Sequence, residues 1–223
     1  MKRILLPLFF LLALGAWAKS KEAERISNAA EALKQIMATP DKGIPTNYLE
    51  RAHCLAIIPG MKKLAFGIGA QRGLGVVSCR KAGGAWGPPS MISLHGGSAG
   101  FQLGGESIDL VMLIMNRRGA EFLTSNKFNV GGDLSAAAGP VGRDATASTD
   151  IAMNAEIYTY SRARGLFGGI SLKGAVLKAD DDGNKQLYGR RVEARSLLLD
   201  GAEAPPADAQ PFMNALARYT AHK

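Results

Sequence analysis

Apolar residues recur at helical spacing near the start of the chain and at strand spacing further on. Between residues 21 and 37 they return every three or four positions, which predicts an amphipathic helix. A break at 40–43 and a second, short helix at 45–52 follow. Short apolar runs separated by Gly, Pro, Lys or Ser are then typical of successive strands, predicted at 54–58, 64–70, 74–80, 90–94, 99–103 and 108–115.

The rest of the chain mixes both periods. Residues 110–115 show no polar alternation, which favours a central strand covered on both faces. A short helix is predicted at 117–123. Strands are predicted at 128–134, 153–161 and 166–178, the last two joined as a hairpin through 162–165. The remaining predicted helices lie at 180–188, 192–199 and 208–221, and the last has Phe212, Leu216 and Tyr219 on one side.

Glycine is dense between residues 67 and 174. Because glycine weakens a strand interior unless the backbone must bend or approach something closely, this density favours a tightly coiled sheet. The predicted fold class is therefore α+β: a strongly curved, mainly antiparallel, barrel-like and glycine-rich β-sheet with N-terminal and C-terminal helices. A length of 223 residues suits one domain with short extensions.

Residues 1–18 have the form of a secretory signal peptide. Lys2 and Arg3 precede an apolar stretch too short to span a bilayer, and Ala16-Trp17-Ala18 offers a small-x-small cleavage site. We therefore expect an exported protein of the periplasm or the extracellular space, peripherally associated with a membrane. The predicted organisation is a signal peptide at 1–18, a domain at 19–201, and a proline-containing linker with a C-terminal helix at 202–223.

The chain has two cysteines, Cys54 and Cys79. An even number in an exported chain favours one disulfide, with two buried thiols as the alternative. The three histidines show no ligand spacing with the cysteines, so no metal site is predicted.

The motifs that could indicate catalysis lack the neighbouring elements and residues that catalysis requires. Ser98 lies in a G-x-S-x-G sequence, but no helix is predicted after it, and the only late histidine is His222. The glycines at 67–73 miss the dinucleotide fingerprint and predict a hairpin turn instead. The acidic residues at 180–184 lack the spacing of a calcium loop. We therefore predict no catalytic residue and no cofactor, and an enzyme using Ser98 or the acidic cluster is a distant alternative.

Several sequence motifs, taken in order, resemble the SYLF domain family over residues 22–201. They are CLAIIPGMKK at 54–63, GLGVVSCR at 73–80, DLVMLIMN at 109–116, GPVGR at 139–143, SRARGLFGG at 161–169 and LYG at 187–189. The resemblance implies non-catalytic binding of lipid, of the phosphoinositide type in eukaryotic relatives. Some relatives also bind actin, which is not expected in a bacterial periplasm. In eukaryotic members an amphipathic N-terminal segment engages membrane, and residues 21–37 match it here.

The charge of the chain agrees with an anionic lipid surface as the partner. The formal net charge is +8, and it is still +6 without Lys2 and Arg3. Basic side chains at predicted turns and strand ends could converge on one phosphate, and the four that we select as lipid contacts are Lys62, Lys63, Arg162 and Arg164. The alternative is that such residues, which include Arg72, are solvated loop charges. Export disfavours nucleic acid.

Two alternatives remain open. Helix 21–37 has a thin, alanine-rich apolar face, which favours burial against the sheet over insertion into a membrane. The alternative function is a structural or interaction protein of the periplasm that binds another envelope protein or polymer.

Overall fold

The computed structural model describes residues 19–38, 43–125, 128–140, 155–163, 166–169, 172 and 174–220, without the side chains of 65–68, 98–104 and 166–169. The predicted signal peptide, Arg164 and His222 lie outside these residues. In the described part, no helix is long and apolar enough to cross a membrane.

Both predicted N-terminal helices are confirmed. Helix α1 (Lys21–Met37) begins at Ser20, whose hydroxyl accepts a hydrogen bond from the Ala23 N–H, and α2 (Thr46–Arg51) follows. Such a side-chain cap satisfies one of the free N–H groups at a helix start. The apolar face of α1 is buried against the sheet and the C-terminal helix. Burial, the favoured role for this helix, is thus its role in this structure.

Two long strands replace the six short ones predicted between residues 54 and 115. Strand β1 (Cys54–Cys79) pairs antiparallel with β2 (Ser90–Ile114) along nearly the whole length of both. The predicted breaks were wrong because the Pro and Gly residues at 59–60 produce a bulge, with Gly60 at φ 57°, and do not end the strand. The turn predicted at 67–73 was also wrong, since these residues pair with β2. The chain reverses at 80–89 instead.

Strand β1 curls until its two ends meet. A straight strand of 26 residues would extend about 85 Å, yet the Cα atoms of Cys54 and Cys79 are 3.9 Å apart. The predicted disulfide between them is present in the structure. Beside it, the Arg80 N–H donates to the carbonyl oxygen of His53 at 2.8 Å. These contacts close the long hairpin on itself and account for the curvature of the sheet.

Glycine permits the two halves of β1 to approach each other closely at two positions. A Cβ atom at Gly73 would lie 2.3 Å from the Cγ2 atom of Ile58, and one at Gly75 would lie 2.3 Å from the carbonyl oxygen of Ile57. Neither position has room for a side chain. The second half of β1 therefore packs directly on the first half, and at these positions the interpretation of the glycines as sites of close approach is confirmed.

Five shorter strands complete a seven-stranded, mainly antiparallel sheet. Strands β5 and β7 pair with opposite ends of β2, and β4 runs parallel to β5. The predicted hairpin is confirmed by the pairing of β5 with β6, and β5 reaches residue 163. The single strand predicted at 166–178 was wrong, because it is divided into β6, which pairs with β5, and β7, which pairs with β2. The bounds are β3 Phe128–Asn129, β4 Ala136–Ala138, β5 Ile157–Ala163, β6 Leu166–Gly169 and β7 Ala175–Ala179.

Strand β2 is buried on both faces at its C-terminal end, as predicted. Leu110, Met112 and Ile114 point into a core inside the curl. Val111 and Leu113 point into a second core beneath the N-terminal and C-terminal helices. The fold is therefore α+β, with a strongly curled sheet between two apolar layers.

The remaining helices lie close to their predicted positions. They are α3 (Arg117–Leu123), α4 (Asp181–Tyr188), a π-helical turn (Ser196–Asp200), a 3₁₀ turn (Ala207–Ala209) and α5 (Gln210–Tyr219). Phe212 and Leu216 of α5 are fully buried, and α5 packs on α1. The Trp86 indole N–H donates to the Thr220 hydroxyl at 2.6 Å, which fixes the end of α5 to the β1–β2 turn. The domain boundary at residue 201 stays a prediction.

Candidate functional site

Two of the predicted lipid contacts lie on the same face of the sheet. Lys62 pairs with Ser107, and Arg162 pairs with Asp109. Because paired residues share a face and residues two apart on one strand do so as well, Lys62 and Arg162 both lie on the face that α1 covers. Lys63 lies on the opposite face and pairs with Glu106. The structure therefore places Lys62 and Arg162 on one face but on opposite sides of β2, and Lys63 on the other face.

Arg162 has a partner within the fold. Its Nη2 atom lies 2.5 Å from Oδ2 of Asp109, and the other carboxylate oxygen accepts a hydrogen bond from the Gly60 N–H at 2.9 Å. The two side chains are only 25% and 18% exposed, beside a cavity of about 300 Å³ next to Glu31 of α1. Arg162 thus holds the bulge of β1 to β2 and β5. The assignment of Lys62, Lys63, Arg162 and Arg164 to lipid stays a prediction.

A larger cleft of about 650 Å³ lies on the other half of the sheet, against α4. We call it the charged cleft. The strands contribute Arg72 and Leu74 from β1, Ser93 and His95 from β2, and Lys178 and Ala179 from β7. The segment from α4 onward contributes the rest: Asp180, Asp181, Asp182, Lys185 and Arg191.

The strand register builds one side of the charged cleft. His95 pairs with Arg72 on β1, while Ser93 lies between Leu74 on β1 and Lys178 on β7. Paired residues share a face, and neighbouring strands are about 4.8 Å apart. A guanidinium, a hydroxyl, an imidazole and an ammonium group therefore project from one small area of the sheet.

Most charges of the cleft have no partner of opposite sign. In the part of the chain that the structure describes, Arg72, Lys178, Lys185 and Arg191 form no ion pair. Asp180 is the exception on the acidic side. It lies 2.7 Å from Arg25 of α1 and caps α4 by accepting the Gly183 N–H.

Two polar groups line the sheet side of the cleft, Ser93 buried and His95 half-buried. Burial lowers the pKa of His95, and the nearby charges of Arg72 and Lys178 lower it further, so the imidazole is neutral at pH 7. Ser93 is 4% exposed, and its hydroxyl has no hydrogen-bond partner among the described residues. Such a group normally has a partner in a folded protein, so the Ser93 hydroxyl is an unsatisfied polar group on the sheet side of the cleft.

The sequence alone did not identify this site. Arg72 appeared only among the basic residues of predicted turns, and His95 only as one of three histidines without ligand spacing. Ser93 and Lys178 were missed because they come together through the pairing of β2 with β7, which no local pattern encodes. The available signal was the alternation of polar Ser93 and His95 in a strand of otherwise apolar residues.

The catalytic alternative gains no support from the described residues. The G-x-S-x-G sequence lies inside β2, which continues as a strand on both sides, and a nucleophile elbow requires a helix to follow. No group of His, Cys, Asp or Glu side chains in the described part of the chain is arranged to hold a metal ion.

The comparisons with known proteins identify the family to which this curled antiparallel sheet belongs. The Ysc84 family model, described as "Las17-binding protein actin regulator", matches residues 95–219, which is more than half of the chain. This chain belongs to the Ysc84 (SYLF) family, and the resemblance seen in its motifs is confirmed.

Named relatives extend the match toward the N-terminus. SH3 domain-containing YSC84-like protein 1 is 35% identical in Bos taurus over 182 residues, covering 81% of this chain and 53% of the relative. The Homo sapiens protein is 34% identical with the same coverage. LAS seventeen-binding protein 3 of Saccharomyces cerevisiae is 31% identical over 202 residues, covering 89% of this chain and 43% of the relative. The chain thus spans about half the length of the curated relatives it matches. The yeast relative is named for binding another protein, and the family description names an actin regulator.

Proposed function

We propose that this chain is a non-catalytic domain that binds anionic or phosphorylated lipid at the cell envelope, after export. One observation supports this most strongly: four cations that form no ion pair with any described residue line a single cleft. They lie beside a buried hydroxyl that has no hydrogen-bond partner among those residues. Each basic residue near an anionic surface contributes about 1 kcal/mol of attraction. The formal charge, still +6 without Lys2 and Arg3, adds long-range attraction to the same surfaces.

The test is co-sedimentation of the purified protein with vesicles of graded anionic lipid content, at low and at moderate salt. Binding should rise with anionic lipid and fall with salt, because exposed charges are screened. No sedimentation with any vesicle would reject the proposal. Fractionation of cells that produce the protein tests the envelope location separately.

Three charge-matched double variants locate the contact. Arg72→Ala/Lys178→Ala removes two cations from the cleft, and Lys62→Ala/Lys63→Ala removes two from the set predicted by sequence. Arg117→Ala/Arg118→Ala removes two exposed cations of α3 as the control. We expect the cleft variant to lose the most binding. Equal loss in all three variants would mean that only net charge matters.

A protein partner is the second candidate, and the names of the relatives favour it. One is named a LAS seventeen-binding protein, and the family is described as an actin regulator. The expectation that this chain does not bind actin therefore has no support from the relatives. Co-sedimentation with actin filaments, and capture of envelope proteins in the absence of lipid, test this candidate. Saturable binding to either without vesicles would favour it over lipid.

A further inference from the structure

The charged cleft holds unpaired charges of both signs. Arg72 and Lys178 extend from the strands, while Asp181 and Asp182 lie in the first turn of α4. In the described part of the chain none of these four groups forms an ion pair, so each cation is more than 4 Å from either carboxylate. Groups that line one cleft without closing on each other leave room for a ligand with two charges. A ligand that carries a positive charge beside its negative one would gain attraction from the two carboxylates as well as from the cations.

The strand side suits a phosphate group. Arg72 and Lys178 supply charge and hydrogen-bond donors, and the Ser93 hydroxyl lies between their strands with no partner among the described residues. Phosphate oxygens accept hydrogen bonds from these donor types. A phosphate here would satisfy the buried Ser93 hydroxyl, which solvated surface charges alone would not require.

The neutral His95 imidazole fits the same ligand. It pairs with Arg72 on β1 and with Val176 on β7, where Lys178 is two residues further along the strand. The nearby α4 segment adds the carboxylates and Lys185. A neutral imidazole offers one N–H donor without a further positive charge. The strand side can therefore hold a singly charged phosphodiester as well as a phosphomonoester.

The α4 side suits a primary ammonium group. Asp181 and Asp182 are exposed carboxylates, which accept hydrogen bonds from the three N–H donors of such a group. A quaternary ammonium has no such donors and is held in proteins by aromatic rings. None of the residues described as lining the cleft is Phe, Tyr or Trp. The cleft should therefore prefer a primary over a quaternary amine.

We propose that the charged cleft binds an aminoalkyl phosphate, with the phosphate between Arg72, Ser93 and Lys178 and the primary ammonium at Asp181 and Asp182. The inference rests on the proposed function for the source of the ligand, since a phospholipid with a primary-amine head group supplies this chemistry at a membrane. A soluble aminoalkyl phosphate supplies it as well. The inference also specifies which feature of a lipid the cleft would recognise, namely its amine and phosphate head group.

The first experiment is calorimetric titration of the full chain with three soluble probes: O-phosphoethanolamine, O-phosphocholine and glycerol 3-phosphate. We expect O-phosphoethanolamine to bind about tenfold more tightly than the other two, the effect of roughly one charge-assisted hydrogen bond. Equal affinity for all three probes, or no binding of O-phosphoethanolamine, would overturn the inference.

Variants then separate the two sides of the cleft. Asp181→Asn/Asp182→Asn should remove the preference for O-phosphoethanolamine while retaining glycerol 3-phosphate binding. Ser93→Ala/Lys178→Ala should weaken binding of all three probes. Asp200→Asn/Asp208→Asn, an exposed and charge-matched pair, is the control and should keep the wild-type preference. Unfolding curves of each variant verify that it is folded. A preference that survives in the Asp181/Asp182 variant would overturn the assignment of the ammonium site.

Vesicles identify the source of the ligand. Vesicles containing phosphatidylethanolamine should bind the protein better than vesicles with phosphatidylcholine in its place, at equal anionic content. If the soluble probe binds and no vesicle does, the lipid function fails while the cleft assignment stands. If vesicles bind without regard to the amine, the lipid function stands and the inference fails.

Discussion

At the residue scale, the fold depends on two positions of β1 that have no side chain. An added Cβ at Gly75 would lie 2.3 Å from a backbone oxygen, which cannot move without distorting β1. We expect Gly75→Ala to lower the free energy of unfolding by about 1–3 kcal/mol, the usual range for overpacking a tight core. Urea denaturation measures this change.

Gly83 provides the control for this substitution. It lies in the β1–β2 turn with no atom within 4 Å of an added Cβ. Gly83→Ala should change stability by less than about 0.5 kcal/mol. Similar losses in the two variants would show that steric crowding at Gly75 is not the cause.

Asp109 is the second residue on which the local fold depends. Its carboxylate accepts hydrogen bonds from Arg162 and from the Gly60 N–H, both in a partly buried setting. Asp109→Asn keeps the size but removes the charge, and we expect a loss of about 1–3 kcal/mol in unfolding free energy. Glu121→Gln, in an exposed pair with Arg117, should cost less than about 0.5 kcal/mol. Comparable losses in both variants would argue against a structural role for Asp109.

At the scale of secondary-structure elements, the sequence predicted helices better than strands. Helices such as α1 and α3 depend on contacts three or four residues apart, so the local pattern is enough. The strands were divided too often because Gly and Pro signal a turn and a bulge equally well. The charged cleft was missed for a related reason, since it requires the register of β7 on β2, which is set by contacts between distant segments.

The disulfide at the ends of β1 should contribute strongly to stability. It closes a loop with a sequence separation of 25 residues, for which chain-entropy arguments give about 3–4 kcal/mol. Cys54→Ala/Cys79→Ala should lose that amount in urea denaturation, and the reduced wild-type protein should approach the same value. An unchanged midpoint after complete reduction of the wild type would contradict this prediction.

At the scale of the whole molecule, stability should depend on pH near neutrality. Burial lowers the pKa of both His53 and His95 in the folded state, and neighbouring cations lower it further. In the unfolded chain the pKa of histidine is about 6.5, so as the pH falls the unfolded chain binds these protons before the folded protein does. Stability should be highest above that pH and fall as the pH drops through the unfolded value toward the lower folded values.

Urea midpoints measured between pH 5 and 8 test this dependence. The double variant His53→Gln/His95→Gln should show a flatter profile over the same range, because glutamine does not titrate. A variant with the slope of the wild type would assign the pH dependence to other groups.

The closure of β1 on itself also has a kinetic consequence. The β1–β2 ladder extends from the pair Val77–Ser90, beside the turn, to the pair Cys54–Ile114. Completing it requires contacts between widely separated residues, which slows folding. A preformed disulfide brings the ends of β1 together in the unfolded chain, so the oxidised protein should refold faster than the reduced one. In stopped-flow refolding, β1 would then behave as a ring that closes before its partner strand is paired.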